Sequence, residues 1–455
     1  MRGASQTLSA AALVALLALS GCASGGGGGT DDAGGETLRI IYQKTGDESP
    51  LDTLMQTTKE QFEAANEGVT VELEPVEGTD EDYNTRLALS QRSPDTAPDV
   101  FYEDTFRLRS DVEAGYLLNL DEHLAGWDEW DSFNEAAKEA GKADDGSTYA
   151  VPLGTDTRVI WYNKQVLQDA GVEVPWQPEN WDDLLEMARA VKESQPDAVP
   201  FSMYAGTGTG EGTVMQSFYE LLYGAEDGGL YDESSQKWIA GSQGFVDSLA
   251  FLKTLYDEEL AVTPAEALDP NVWQTVIGTL LPENRMGATV EGSYAPSFWQ
   301  EGGQFAWPEY GDVMGVAPFP TQNGQEPGAV SMSGGWTLAI GAGTENPDLA
   351  FEFLTTAMNQ ENLLSYTIDN SQIAVRTDIA EAPEYLEANP FVGAVSEVVD
   401  VTHYRPATSN YAEISTAIQE ATEAVITGGA TPEEAAATYD ETLKSIVGEE
   451  NVVEG

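Results

Sequence analysis

Thr37-Leu-Arg-Ile-Ile-Tyr42 is a short run of β-branched and aromatic residues and predicts a strand. Leu54, Thr58, Phe62 and Ala65 then recur at helical spacing. Val69-Thr-Val-Glu-Leu73 alternates as a second strand, Tyr83 to Arg92 reads as helix, and Ala97-Pro-Asp-Val-Phe-Tyr102 is a third strand. Strands that alternate with helices predict α/β layers around a largely parallel sheet.

The pattern continues downstream. Tyr149-Ala-Val-Pro152, Arg158-Val-Ile-Trp-Tyr162, Met286 to Val290 and Thr337 to Ile340 predict strands. Helices are expected from Trp181 to Glu193, capped by Asn180, from Phe245 to Asp257, and from Pro347 to Met358. Two more close the chain, Asn410 to Gly428 and Pro432 to Val447, the latter with Thr431 as its cap. Gly206-Thr-Gly-Thr-Gly210 lacks the lysine of a phosphate loop and the spacing of a dinucleotide fingerprint, so it reads as a flexible cleft-side loop.

The chain has 455 residues, which suggests about three domains or two large ones. With 41% hydrophobic residues and 10 Trp it can bury sizeable cores. Against 78 acidic residues stand 20 Lys and Arg, a net charge of −58. Such a surface repels phosphate, which argues against nucleic-acid binding and against docking on anionic headgroups. It suits a saline habitat, or an acidic secreted protein in ordinary medium. A single cysteine excludes disulfides within the chain, and His123 and His403 are too few for histidine-rich metal sites. No metal site and no cofactor are expected.

From Leu8 to Leu19 the chain is apolar except for Ser9, too short to span a membrane and suited to a signal-peptide core. Leu19-Ser20-Gly21-Cys22 follows and resembles a bacterial lipobox, in which the cysteine becomes the acylated first residue. Residues 1–21 are thus expected to be a lipoprotein signal peptide, and 22–36, rich in glycine, a flexible tether. Cys22 is the expected lipidation site, and the mature chain is expected on the outer face of the cell membrane.

Six further segments, in order, resemble one family. They are Ala97-Pro-Asp-Val with Glu113-Ala-Gly-Tyr-Leu-Leu-Asn-Leu-Asp121; Tyr149-Ala-Val-Pro with Ile160-Trp-Tyr-Asn-Lys164; Asn180-Trp-Asp-Asp-Leu-Leu; Met286-Gly-Ala-Thr-Val-Glu-Gly-Ser-Tyr294; Ser333-Gly-Gly-Trp-Thr-Leu-Ala-Ile340; and the helix from Pro347 to Leu354. Together they are similar to family 1 extracellular solute-binding proteins of the maltose-binding type, which feed ABC importers. The resemblance covers nearly all of residues 37–448. It implies an α/β, two-lobed periplasmic-binding-protein-like fold whose discontinuous lobes are joined by hinge strands around a ligand cleft. The first lobe would be 37–153 plus 320–371, and the second 157–316 plus 376–450.

A sugar offers hydroxyls for bidentate hydrogen bonds and apolar ring faces for stacking, so its site needs polar and charged side chains beside aromatic ones. Gln43 and Lys44 follow the first strand, where α/β sheets commonly place ligands. By the family motif, Glu103 and Asp156 fall at ligand-contact positions, Asp104 adjoins the first, and Tyr294 stands where relatives carry a stacking Trp. Trp336 follows two glycines that let a ligand approach the backbone. Trp273 suits either cleft or core, and Tyr204 is a weaker candidate. Arg158, Arg376 and Arg405 fall in cleft-proximal segments on the family mapping, with Tyr404 beside the last; three arginines would also suit an acidic sugar.

The resulting expectation is a binding protein, not an enzyme, that captures a carbohydrate, foremost an oligosaccharide, and delivers it to ABC permease subunits. The chain is expected to be a monomer that touches the membrane through its lipid only. The alternatives are a polyamine-binding protein, drawn by the negative field, and a secreted glycosidase using a carboxylate pair hidden among the 78 acids. The charge excess itself makes a prediction. Raising salt from about 0.1 M to about 1 M shortens the Debye length from about 10 Å to about 3 Å. The melting temperature of the chain should therefore rise over that range in a thermal melt; a flat or falling trend would contradict net self-repulsion.

Overall fold

In a computed structural model the described residues are 36–455 except 47, 48, 144, 407 and 409. The signal peptide, Cys22 and all but the last residue of the tether lie outside them. Two hydrophobic clusters organise the described chain. One gathers Leu38, Ile40, Val100, Phe101, Val151, Leu338, Phe353 and their neighbours. The other gathers Ile160, Trp161, Phe201, Val290, Trp299, Ile418 and Leu443. Each is the core of one lobe.

The first lobe is built on a five-stranded sheet. Its order is Thr70–Glu77, Thr37–Lys44, Val100–Asp104, Trp336–Ile340, Ala150–Pro152. The first three run parallel, but Trp336–Ile340 is antiparallel to both of its neighbours. The second lobe carries the order Met314–Ala317, Arg158–Asn163, Met286–Gly292, Val199–Ser202. Here Arg158–Asn163 is antiparallel to both of its neighbours, and the other three strands run in one direction. The expected largely parallel sheet thus holds in both lobes, each with a single reversed strand. In each sheet the reversed strand, Arg158–Asn163 or Trp336–Ile340, is the one that follows directly after a crossing.

Local chemistry explains the helices. Ser49 accepts from the Asp52 amide and Pro50 starts Pro50–Ala65, whose Leu51, Leu54, Met55, Thr58 and Phe62 form its buried stripe. Asn180 accepts the Asp183 amide at 3.1 Å and starts Trp181–Ser194. Thr431 and Glu434 form a capping box at the start of Pro432–Val447. The glycine loop is held rather than loose. The Gly206 amide donates to Thr422, and both the amide and hydroxyl of Thr207 donate to Glu423.

The chain passes between lobes three times: between Leu153 and Val159, between Met332 and Leu338, and between Tyr385 and Val395. Val330 and Met332 pack with the second core because Ala329–Met332 pairs with Phe319–Pro320 and Thr402–His403. The stretch 320–332 therefore does not join the first lobe as expected. Ile379 and Tyr385, expected in the second lobe, pack with the first. Hydroxyls tie the passages together. Ser331 Oγ accepts from the Arg158 amide at 2.8 Å, Ser333 Oγ donates to the Asp156 carbonyl at 2.8 Å, and Thr157 Oγ1 donates to the Val395 carbonyl at 2.9 Å.

Replacing the cap Asn180 by Ala leaves one first-turn amide unpaired. It should cost about 1 kcal/mol in urea unfolding, with no change in the fold by circular dichroism.

Candidate functional site

The first crossing carries the centre of the site. Asp156 and Arg158 are both buried, and the Arg158 guanidinium bonds the Asp156 carboxylate. The Gly334 amide, from the second crossing, donates to the same Asp156 Oδ1 at 2.9 Å. One carboxylate thus ties the first two crossings together. Arg158 also lies over the Tyr294 ring, 5.8 Å from its centre. Burial lowers the Arg158 proton affinity, but Asp156, Tyr294 and Glu220 outweigh it, so the guanidinium stays charged.

Behind Arg158 a polar chain runs through Tyr294. Gln216 Nε2 donates to the Tyr294 hydroxyl at 2.8 Å, which donates to Glu291 Oε1 at 3.2 Å. Tyr204 donates to Glu291 Oε2 at 2.9 Å. Burial pushes the Glu291 carboxyl upward, only partly offset by the Gly292 amide and the two tyrosine hydroxyls. Burial likewise raises Glu220 well above its ordinary value, while Arg158 pulls it down, and its Oε1 accepts the Met332 amide.

A second ion-pair centre joins the lobes. Arg405 Nη2 reaches Asp104 Oδ1 at 2.8 Å, at the end of the first-lobe strand Val100–Asp104. Its Nη1 lies 3.4 Å from Glu211 Oε1, and its guanidinium stacks 4.4 Å above Phe106. Glu211 is further held by the Tyr411 and Ser415 hydroxyls, each at 2.5 Å. Burial raises the Asp104 carboxyl to about 6 even with Arg405 beside it.

The structure thus brings together Asp104, Asp156, Arg158, Tyr204, Tyr294 and Arg405. Tyr404, beside Arg405, is half exposed. Trp336 is partly buried and stacks one face on Tyr102, with centroids 4.1 Å apart and planes 3° apart. Gln43 is tied to Asp80 at 2.7 Å, and Lys44 to Asp52 at 3.1 Å. Trp273 packs on Phe298 and Phe305 beside the second core, one ring removed from Tyr294.

Two expected site residues lie elsewhere. Successive side chains of a strand point to opposite faces, so Glu103 and Asp104 cannot share one. Glu103 is wholly buried beside Asp111 and Arg107; burial and Asp111 hold its carboxyl well above the ordinary range. Arg376 is clamped by Glu129 and Asp378, each at 2.7 Å, and by the Met358 carbonyl at 2.8 Å, over the Phe133 ring. None of these partners belongs to the cluster around Asp156.

The sequence reading overlooked Glu211, Gln216, Glu220 and Glu291. Glu220 stands within Phe218-Tyr-Glu-Leu-Leu222, and Glu291 ends the apolar run from Met286. An acid inside an apolar run must find a buried partner, and that is the signal that could have found both. Among the described residues no group of three or more His, Cys, Asp and Glu is placed to hold a metal ion.

Two lobes, a hinge crossed three times by the chain and a polar cluster between them define the class of two-lobed solute-binding proteins. Residues 46–362 match the family model for bacterial extracellular solute-binding proteins, and the chain belongs to that family. It is 27% identical over 320 residues to a Deinococcus radiodurans protein described as "Probable ABC transporter-binding protein", covering 67% of this chain and 70% of that one. It is 24% identical over 405 residues to the maltodextrin-binding protein MdxE of Bacillus subtilis, covering 88% and 87%. Maltose-bound MalE3 of T. maritima has the same fold, with a TM-score of 0.76 at 22% identity, over 90% of this chain and all of the other.

The raised Asp104 carboxyl gives a prediction with a definite sign. The folded chain holds this proton up to about pH 6, and the unfolded chain only to about pH 4. Stability from this group is therefore greatest below pH 4 and is lost as pH rises through 6. Relative to wild type, Asp104→Asn should gain stability steadily between pH 4 and 6 in denaturant titrations; a constant difference would show that Asp104 is ionised throughout.

Proposed function

We propose that this chain captures a neutral carbohydrate between its lobes and hands it to an ABC importer, anchored outside the membrane through Cys22 and without catalysing any reaction. The observation that carries this reading is the pairing of both cleft arginines. Arg158 is neutralised by Asp156, and Arg405 by Asp104 and Glu211. A carboxylate fixed to a guanidinium offers acceptors beside donors, which suits a sugar hydroxyl that both donates and accepts. Tyr294 and Trp336 add aromatic faces for the C–H side of a pyranose. The binding of maltodextrin by the Bacillus relative and of maltose by the Thermotoga protein supports the same class.

The same pairing argues against the other ligands. With Arg376 clamped elsewhere and the remaining two arginines neutralised, an acidic sugar would find no uncompensated cation. A polyamine would have to compete with guanidinium groups already held in a desolvated site. The permease would dock on the surfaces flanking the cleft, and the lobes would close as a bound sugar favours the form that touches both.

The test is a thermal-shift and calorimetric screen of malto-, cello- and xylo-oligosaccharides, trehalose, uronic acids and spermidine. A neutral sugar at about a thousand times its Kd should stabilise the chain by about 4 kcal/mol, and its uronate should bind at least about tenfold more weakly. Trp336→Ala should weaken binding by about 1–3 kcal/mol and, because one face stacks on Tyr102, also lower the melting temperature, whereas Trp336→Phe should keep more of both. Saturable spermidine binding with no response to sugars would overturn the reading.

A further inference from the structure

A groove of about 300 Å3 lies on the second lobe, between the loop 172–178 and the helix Trp181–Ser194. Small-molecule sites begin at about that volume. None of the residues lining it belongs to the cluster around Asp156. Its apolar walls include Val172, Trp176, Pro178 and Met187, and its charged groups are Asp183 and Glu186. No lysine or arginine lines it.

The walls are fixed by the core beneath them. Trp176 is buried, and its amide donates to the Tyr162 hydroxyl at 3.2 Å. Its ring meets the Tyr162 ring edge to face, with centroids 5.8 Å apart. Met187 belongs to the buried stripe of the helix. The charges of that helix are divided between two places. Arg189 makes two bonds of 2.7 Å to the Glu258 carboxylate, and Lys192 bonds the Glu258 carbonyl and the Glu259 carboxylate. Both cations of the helix are thus engaged away from the groove. Asp183 Oδ2 accepts the Glu179 amide at 2.8 Å, which orients that carboxylate. Glu186 is exposed and makes no hydrogen bond or salt bridge among the described residues.

We propose that this groove binds an organic ammonium ion of the aliphatic polyamine class, independently of the cleft. Its methylene groups would lie along Trp176 and Met187, and an ammonium group would meet Glu186 and Asp183. Residues three apart on a helix are surface neighbours, and an ammonium has three donors, so one group can bond both carboxylates. The apolar walls reward a carbon chain, so a bare cation of equal charge gains less. In the cleft the carboxylates are already held by guanidinium groups, whereas here Glu186 has no cationic partner. The inference goes beyond the carbohydrate reading and does not depend on it.

The experiment titrates spermidine calorimetrically into the full chain at low salt, where screening is weak. Glu186→Gln removes the unpaired charge. Ala190→Leu fills the groove, which Ala190 also lines, with another strong helix former. Glu193→Gln is the control, an exposed acid of the same helix outside the groove. Circular dichroism checks that each variant is folded, and Ala190→Met replaces Ala190→Leu if the latter is not. The expected result is saturable binding to wild type and to Glu193→Gln. Binding should weaken at least about fivefold in Glu186→Gln and about tenfold in Ala190→Leu. Ammonium chloride at the same ionic strength should give no saturable signal. Absence of saturable spermidine binding would overturn the site. So would wild-type affinity in Glu186→Gln and Ala190→Leu, which would put the amine elsewhere. An equal loss in Glu193→Gln would overturn it too, since the attraction would then come from the net charge of −58 as a whole. None of these outcomes bears on the sugar in the cleft.

Discussion

The rest of the structure depends on how three chain segments cross between lobes without burying an unpaired polar group. An extended backbone leaving one sheet for another loses its strand partners, and each orphaned amide or carbonyl would be costly away from water. Here hydroxyls replace the missing strands. Ser331 serves both the amide and the carbonyl of Arg158, and Ser333 binds the Asp156 carbonyl. Thr155 pairs with Ile373 through its backbone and with Ser333 through its side chain. A hinge stitched by short side chains keeps its geometry while leaving few apolar contacts to resist rotation.

The same segments carry the charges of the site. Asp156 is both a hinge group, through the Gly334 amide, and half of the ion pair with Arg158. Position of the lobes and position of the binding groups are therefore set by one carboxylate. Burial is what makes the pairing obligatory. An isolated guanidinium or carboxylate at such low exposure would cost several kcal/mol, and pairing with hydrogen bonds offsets much of it. The result is a cluster in which each arginine has a carboxylate partner, inside a chain of net charge −58. The acidic excess stays on the solvated surface, where salt screens it, and does not by itself describe the ligand.

Much of the fold was legible in the chain because its signals are local. Asn180 and Thr431 announced helices that begin where expected, and the spacing of Leu54, Thr58 and Phe62 marked a true buried stripe. The site was legible only in part. Asp104, Asp156, Arg158, Tyr294 and Arg405 come together, while Glu103 turns into its own lobe because strand alternation gives adjacent residues opposite faces. Arg376 looked equivalent to the other two arginines until its partners Glu129 and Asp378 appeared, one of them 247 residues away in sequence. Glu220 and Glu291 were passed over because a count of 78 acids hides the few that are buried.

The sequence by itself determined the α/β character and the starts of the helices capped by Asn180 and Thr431, since caps and periodicity act over a few residues. Only the tertiary structure decided which strand of each sheet is reversed, the points where the chain changes lobes, and which charges neutralise which. Those outcomes depend on contacts between segments more than a hundred residues apart, such as Asp104 with Arg405 and Asp156 with Gly334. No local pattern encodes such a partner. Desolvation sets the need for one, and the geometry of the folded chain supplies it.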